Sequence, residues 1–167
     1  DRETAQIAVE AALTGHLVLS TLHTNDAASA ITRLSEMDIE PFLLSSAIDC
    51  VIAQRLARCL CPECKEAYEP DTDILLRLGY PENDLPNTLW RAKGCRKCND
   101  TGYKGRIGVH EILQVTEKIG SLTVLGATGD ELKQAAIEEG MQTLRGDGLD
   151  KARQGITSIE EIMRVIA

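Results

Sequence analysis

Six cysteines stand at positions 50, 59, 61, 64, 95 and 98, and four of them form two Cys-x-x-Cys pairs, Cys61/Cys64 and Cys95/Cys98. A short turn of that spacing presents two sulfurs to one ion, and a second such turn closes a tetrahedral shell of four thiolates. Both pairs read as metal knuckles: Cys61-Pro62-Glu63-Cys64 followed by Lys65, and Gly94-Cys95-Arg96-Lys97-Cys98 followed by Asn99 and Gly102. Zn2+ suits this donor set, and a rubredoxin-like iron site is chemically possible with the same ligands. Free thiols and a disulfide are the plainer readings, but a redox Cys-x-x-Cys is normally single and at a helix N-terminus. With four thiolates there is no open coordination position, so the expected metal is structural. Backbone amides and Lys65, Arg96 and Lys97 are expected to offset the thiolate charge. Cys59 adds a possible fifth thiolate, and Cys50, in an apolar stretch, is expected to be a buried small hydrophobe.

The second chemical constellation is the run TGHLVLSTLHTND at 14–26. His16 and His23 bracket a short apolar stretch of strand length, and His23 falls where strand should give way to helix. In open α/β sheets ligands bind at the carboxyl ends of strands, which puts His23, Thr21 and Thr24 where a phosphate would sit. The bland alternative is a hydrogen-bonded structural histidine.

The elements that must carry these residues follow from periodicity and punctuation. Residues 3–14 read as an Ala-rich helix closed by Gly15, and 16–23 as a strand buried on both faces. Thr24, Asn25 and Asp26 supply an N-cap for a helix with Ala27, Ile31 and Leu34 on one face. Pro41 opens a further helix, and 51–60 reads as a strand. Helix, strand, helix, strand in this order predicts an α/β layer with a largely parallel sheet. Four of the chain's prolines and both cysteine pairs lie in 61–105, a loop-rich insert with little core of its own. A strand leaves it at 106–115, and the remainder is helical. Helices are expected at 130–139, 144–154 and from Ser158, where Ser158-Ile159-Glu160-Glu161 reads as a capping box. The parse is therefore 1–60, 61–105 and 106–167.

Composition narrows the function classes. Hydrophobic residues make up 43% against 3% aromatic, so the core must be aliphatic. Net charge is −8, with 26 acidic against 18 basic residues, which argues against a nucleic-acid partner. Basic residues do gather at Arg91, Lys93, Arg96, Lys97, Lys104 and Arg106, a patch suited to a neighbouring subunit or an acidic partner. No apolar run approaches the ~20 residues of a membrane span, and the charged start shows no signal peptide. The abrupt opening in helix-like sequence suggests a piece of something longer. Two competing readings are a stand-alone structural zinc-ribbon interaction module and a thiol oxidoreductase; the first should carry a basic face, and thiol titration with and without chelator would separate the second.

DRETA at 1–5 and AALTGHLVLSTLHTND at 11–26 resemble the histidine box of the bacterial type II secretion and type IV pilus assembly ATPases. The likeness continues through AQRL (53–56), GYKGRIGVHE (102–111), GMQTLRGDGLDK (140–151) and GITSIEE (155–161), so it spans essentially the whole chain. The four-cysteine insert points to the secretion and pilus-extension members. Cys59 and His110 depart from the usual residues at their positions.

The resemblance implies the C-terminal half of a RecA-like P-loop ATPase domain, with a small four-cysteine zinc insert and a C-terminal helical region. It implies a cytoplasmic hexameric motor, peripheral to the inner membrane through platform partner proteins, that hydrolyses ATP with Mg2+ for protein secretion or pilus assembly. His23 would sense or polarise the γ-phosphate region and His16 hold the strand; Thr21 and Thr24 would lie beside the nucleotide. Arg106 matches a basic residue near a subunit boundary, with a solvated strand arginine as the alternative. Asp1 matches the end of the acidic strand motif. No Gly-x-x-x-x-Gly-Lys-Ser/Thr occurs, so the chain alone is expected to hydrolyse no ATP.

Overall fold

Asp1 opens the first helix by accepting the Thr4 amide at 2.8 Å, and the computed structural model describes residues 1–166 from that cap onward. Helix α1 (Arg2–Leu13) is followed by α2 (Ala28–Glu36), α3 (Pro41–Ala47) and strand β1 (Cys50–Leu60). Then come β2 (Glu66–Tyr68), α4 (Thr72–Leu78), β3 (Leu89–Arg91) and β4 (Tyr103–Gln114). Helices α5 (Glu117–Val124), α6 (Gly129–Glu138), α7 (Leu144–Arg153) and α8 (Ile159–Ile166) complete the chain. No helix among the described residues is long and apolar enough to cross a membrane.

The contacts group the chain into two units that are each discontinuous in sequence: 1–53 with 111–143, and 54–110 with 144–167. The 61–105 insert groups with α7 and α8. In the first unit, Val9, Ile39 and Leu44 form an aliphatic core joined by Ala5, Leu34, Met37 and Ile48. Helix α3 packs on α1 and α5, and α2 on α6. Just before α2, Asp26 Oδ1 accepts the Ser29 amide at 2.9 Å, while its Oδ2 meets Lys133 Nζ of α6 at 3.2 Å. Glu111, almost wholly buried, accepts the Ala27 amide at 2.9 Å.

In the second unit, β2 and β3 pair antiparallel with Ala67 opposite Trp90. Asp71 caps α4, and Leu75, Leu78, Tyr80 and Leu89 are buried. The insert does own apolar residues, but α7 completes their core: the Tyr80 hydroxyl donates to Leu149 O at 2.9 Å and Arg145 Nε to Leu78 O at 3.0 Å. Helices α7 and α8 pack at Gly148, where an added Cβ would come within 2.8 Å of Ile162.

Three expectations are corrected. The stretch 16–24 is not a strand, and Leu17 and Leu19 are 83% and 87% exposed. A strand needs a hydrogen-bonded neighbour, and among the described residues the strands pair only as β1 with β4 and β2 with β3. The sheet is not largely parallel: Val115 N donates to Asp49 O at one end of the β1/β4 pair and Cys61 N to Gly102 O at the other, both at 2.9 Å, so the strands run oppositely. Cys50 is exposed, because β1 turns Ala53 and Ala57 inward and the even-numbered residues between them outward.

Candidate metal centre and histidine segment

Both cysteine turns are built by backbone bonds before any ligand is considered. Cys61 O accepts the amides of Cys64 at 3.2 Å and Lys65 at 3.0 Å; Cys95 O accepts those of Cys98 at 3.1 Å and Asp100 at 2.9 Å. The second turn swings back through Asn99 and Asp100, both at positive φ. Two glycines make that return possible. A Cβ at Gly94 would lie 2.6 Å from Asp100 O, and one at Gly102 would lie 2.5 Å from Ala92 Cβ, with both backbones at positive φ.

The result brings the Sγ atoms of Cys61, Cys64, Cys95 and Cys98 within 4.8 Å of one another. Cys64–Cys98 and Cys95–Cys98 are each 3.8 Å. A tetrahedral ion with metal–sulfur bonds of about 2.3 Å has sulfur–sulfur edges of about 3.8 Å. A disulfide needs about 2.05 Å, and all six cysteines are free. Cys59 lies on β1 outside the cluster, so the four-residue set needs no fifth thiolate. The donors fit a soft or borderline cation held by four thiolates with no place for water.

Charge compensation comes from the backbone more than from the lysines. The amides of Cys95 and Gly102 each donate to Cys98 Sγ at 3.2 Å. Burial works against the Cys98 thiolate, but these amides and the neighbouring thiols outweigh it and bring its pKa down to about 6. Burial leads at Cys64, and the thiols of Cys95, Cys61 and Cys98 add to it, pushing that pKa up to about 12. Lys97 pairs with Glu63 at 2.9 Å, and Lys93 and Arg91 both reach Glu66. Three members of the basic patch are therefore ion-paired within the insert itself, with two carboxylates between them. Lys65 turns away to donate to Gly155 O at 2.8 Å and lies 4.5 Å from the centre of the Trp90 ring.

The histidine segment occupies the exposed stretch of the first unit. His16 Nδ1 lies 3.0 Å from Thr14 Oγ1, and its amide donates to Ala11 O at 3.2 Å, so it is fastened to the end of α1. Thr21 and His23 are exposed and Thr24 is half-buried. Arg106 is exposed on β4, in the second unit.

The sequence pattern missed one charged centre. The Ser158–Glu161 capping box is only half formed: Ser158 Oγ accepts the Glu161 amide at 3.3 Å, but the carboxylate does not return. Fully buried, it accepts Arg58 N at 2.9 Å, Arg58 Nη2 at 2.7 Å and Arg164 Nη2 at 2.6 Å. Burial alone would raise the Glu161 pKa; the two guanidinium groups and the Arg58 amide instead hold it down at about 2. No spacing rule joins positions 58 and 161, so nothing in the pattern signalled it.

Compared with known proteins, residues 1–164 match the family model described as Type II/IV secretion system protein. The chain is 52% identical over 164 residues to the type IV pilus assembly ATPase PilB of Thermus thermophilus, covering 98% of this chain and 18% of that protein. It is 53% identical over 165 residues to the type II secretion system ATPase E of Vibrio cholerae, covering 99% of this chain and 32% of that protein. Among solved structures it resembles the Legionella pneumophila ATPase DotB at TM-score 0.61 and 21% identity, over 98% of this chain and 35% of that one. At that identity the likeness concerns fold alone.

Proposed function

The chain belongs to the type II/IV secretion system protein family, and we propose on that basis that it is part of a motor ATPase powering protein secretion or pilus assembly. The observation that carries this reading is identity near one half along nearly the whole chain to proteins named as such ATPases. The chain spans about a third or less of those relatives, so activity, assembly and partners are those of a longer protein.

In that protein the 1–60 region would lie in a RecA-like core, and the exposed apolar run 16–22 would gain there the strand neighbours it lacks here. His23, Thr21 and Thr24 would then stand at a strand end facing nucleotide, with His16 holding the run to α1. One hydrogen-bond donor at the γ-phosphoryl oxygens stabilises charge that develops as the bond to the leaving oxygen breaks. ATP and Mg2+ would be held by a phosphate loop that this chain does not contain, so the chain alone would turn over no ATP. Arg106 would serve a neighbouring subunit of a hexamer. The four thiolates would hold one structural Zn2+, which supplies a fixed tetrahedral knot and no reaction step. The machine would work in the cytoplasm against inner-membrane platform proteins. Pairing of Arg91, Lys93 and Lys97 with Glu63 and Glu66 lowers the positive charge that the insert could offer a nucleic acid.

The test is ATP turnover. His23→Ala in the complete protein should lower the rate by about 10²–10³ with nucleotide binding retained, and the isolated chain should be inactive. Mg2+-dependent turnover by the isolated chain, lost in His23→Ala, would overturn this assignment.

A further inference from the structure

The turn joining α7 to α8, residues 155–158, is gripped almost entirely by residues that flank the two cysteine turns. Leu60, immediately before Cys61, donates its amide to Ile156 O at 2.8 Å. Lys65, immediately after Cys64, donates to Gly155 O at 2.8 Å. Tyr103 follows Gly102, whose amide holds Cys98 Sγ, and the Tyr103 hydroxyl lies 2.8 Å from Ser158 Oγ. Trp90, beside Lys65, packs so closely that a Cβ on Gly155 would come within 2.6 Å of its ring. Thr157, fully buried, closes the set by donating to Arg58 O at 2.8 Å.

We infer that the four-thiolate centre anchors the α7–α8 turn, and that Lys65 is the positioning residue through which metal occupancy reaches it. Binding free energy at such a centre is folding free energy for whatever its ligand turns support. The first turn can donate from both Leu60 and Lys65 only while Cys61 and Cys64 are held in register. Release of the ion frees that turn, and the two carbonyls of the α7–α8 connection lose their donors together. Lys65 is the stronger of the two links because its charged donor sits against a ring face and a carbonyl at once. Nothing in the first unit takes part, so α1 and α3 should not sense the metal.

The inference rests on the metal reading, and the experiment separates the two. Zinc content is measured on the complete protein, and hydrogen exchange is followed peptide by peptide with and without chelator. Expected is one zinc per chain, and after chelation an acceleration on the order of tenfold at 155–162, where the amides of Ile156 and Ile162 are hydrogen-bonded, with α1 and α3 unchanged. Lys65→Met should keep its zinc yet exchange faster at 155–162, and Lys65→Arg should restore protection. Faster exchange confined to 61–105, equal acceleration in α1, or wild-type protection in Lys65→Met would overturn the inference. Absence of zinc from the untreated protein would remove the metal reading and the anchor with it.

Discussion

Cys64 and Cys98, 34 residues apart in sequence, hold their sulfurs 3.8 Å apart, the edge of a thiolate tetrahedron and nearly twice a disulfide. That separation rules out a disulfide between the two and fits the sulfurs of a shared four-thiolate site.

One zinc per chain is therefore expected in the purified protein by elemental analysis. Cys61→Ser should lose it and unfold the insert, whereas Cys59→Ser should retain it. Protons compete with the ion for all four sulfurs, so acidification should release metal. A metal-free protein, or disulfides within the pairs, would refute the assignment.

Glu161 makes stability depend on acid. Its carboxyl ionises near 2 in the fold against an ordinary 4.5, so its contribution is complete above the ordinary value and disappears as pH falls toward the folded one. Glu161→Gln should cost about 2–3 kcal/mol at neutral pH, after allowance for the exposed ends of both arginines. Urea midpoints from pH 6 down to 2 should fall less steeply in the variant. Parallel curves would show that the buried carboxylate carries no such linkage.

Arg106 is exposed on β4, and truncating it should leave the fold intact. In the complete protein, Arg106→Ala should slow ATP turnover with an unaltered melting temperature. A variant with full turnover would take Arg106 out of the mechanism.

Much of this was legible from local pattern. Gly15 and Pro41 mark helix ends because such ends are settled within a few residues, and the structure places α1 and α3 accordingly. The Cys-x-x-Cys pairs were legible for the same reason: two sulfurs per turn is a local property. The 16–23 run shows the limit. Its apolar residues specify a strand, but strand formation is settled by a hydrogen-bonding neighbour, and here Leu17 and Leu19 face solvent. Ser158 and Glu161 mark another: the cap motif is real on the serine side, while the carboxylate follows the larger electrostatic gain offered by Arg58 and Arg164.

The sequence by itself determined helix ends, the thiolate donor set and, through resemblance, the family. Only the tertiary structure decided which distant residues meet: Cys64 with Cys98, Arg58 with Glu161, Lys65 with the carbonyl of Gly155. Caps and knuckles are closed by bonds a few residues long, so their chemistry is written in spacing. Long-range pairs depend on how strands and helices pack, and that is a property of the whole core.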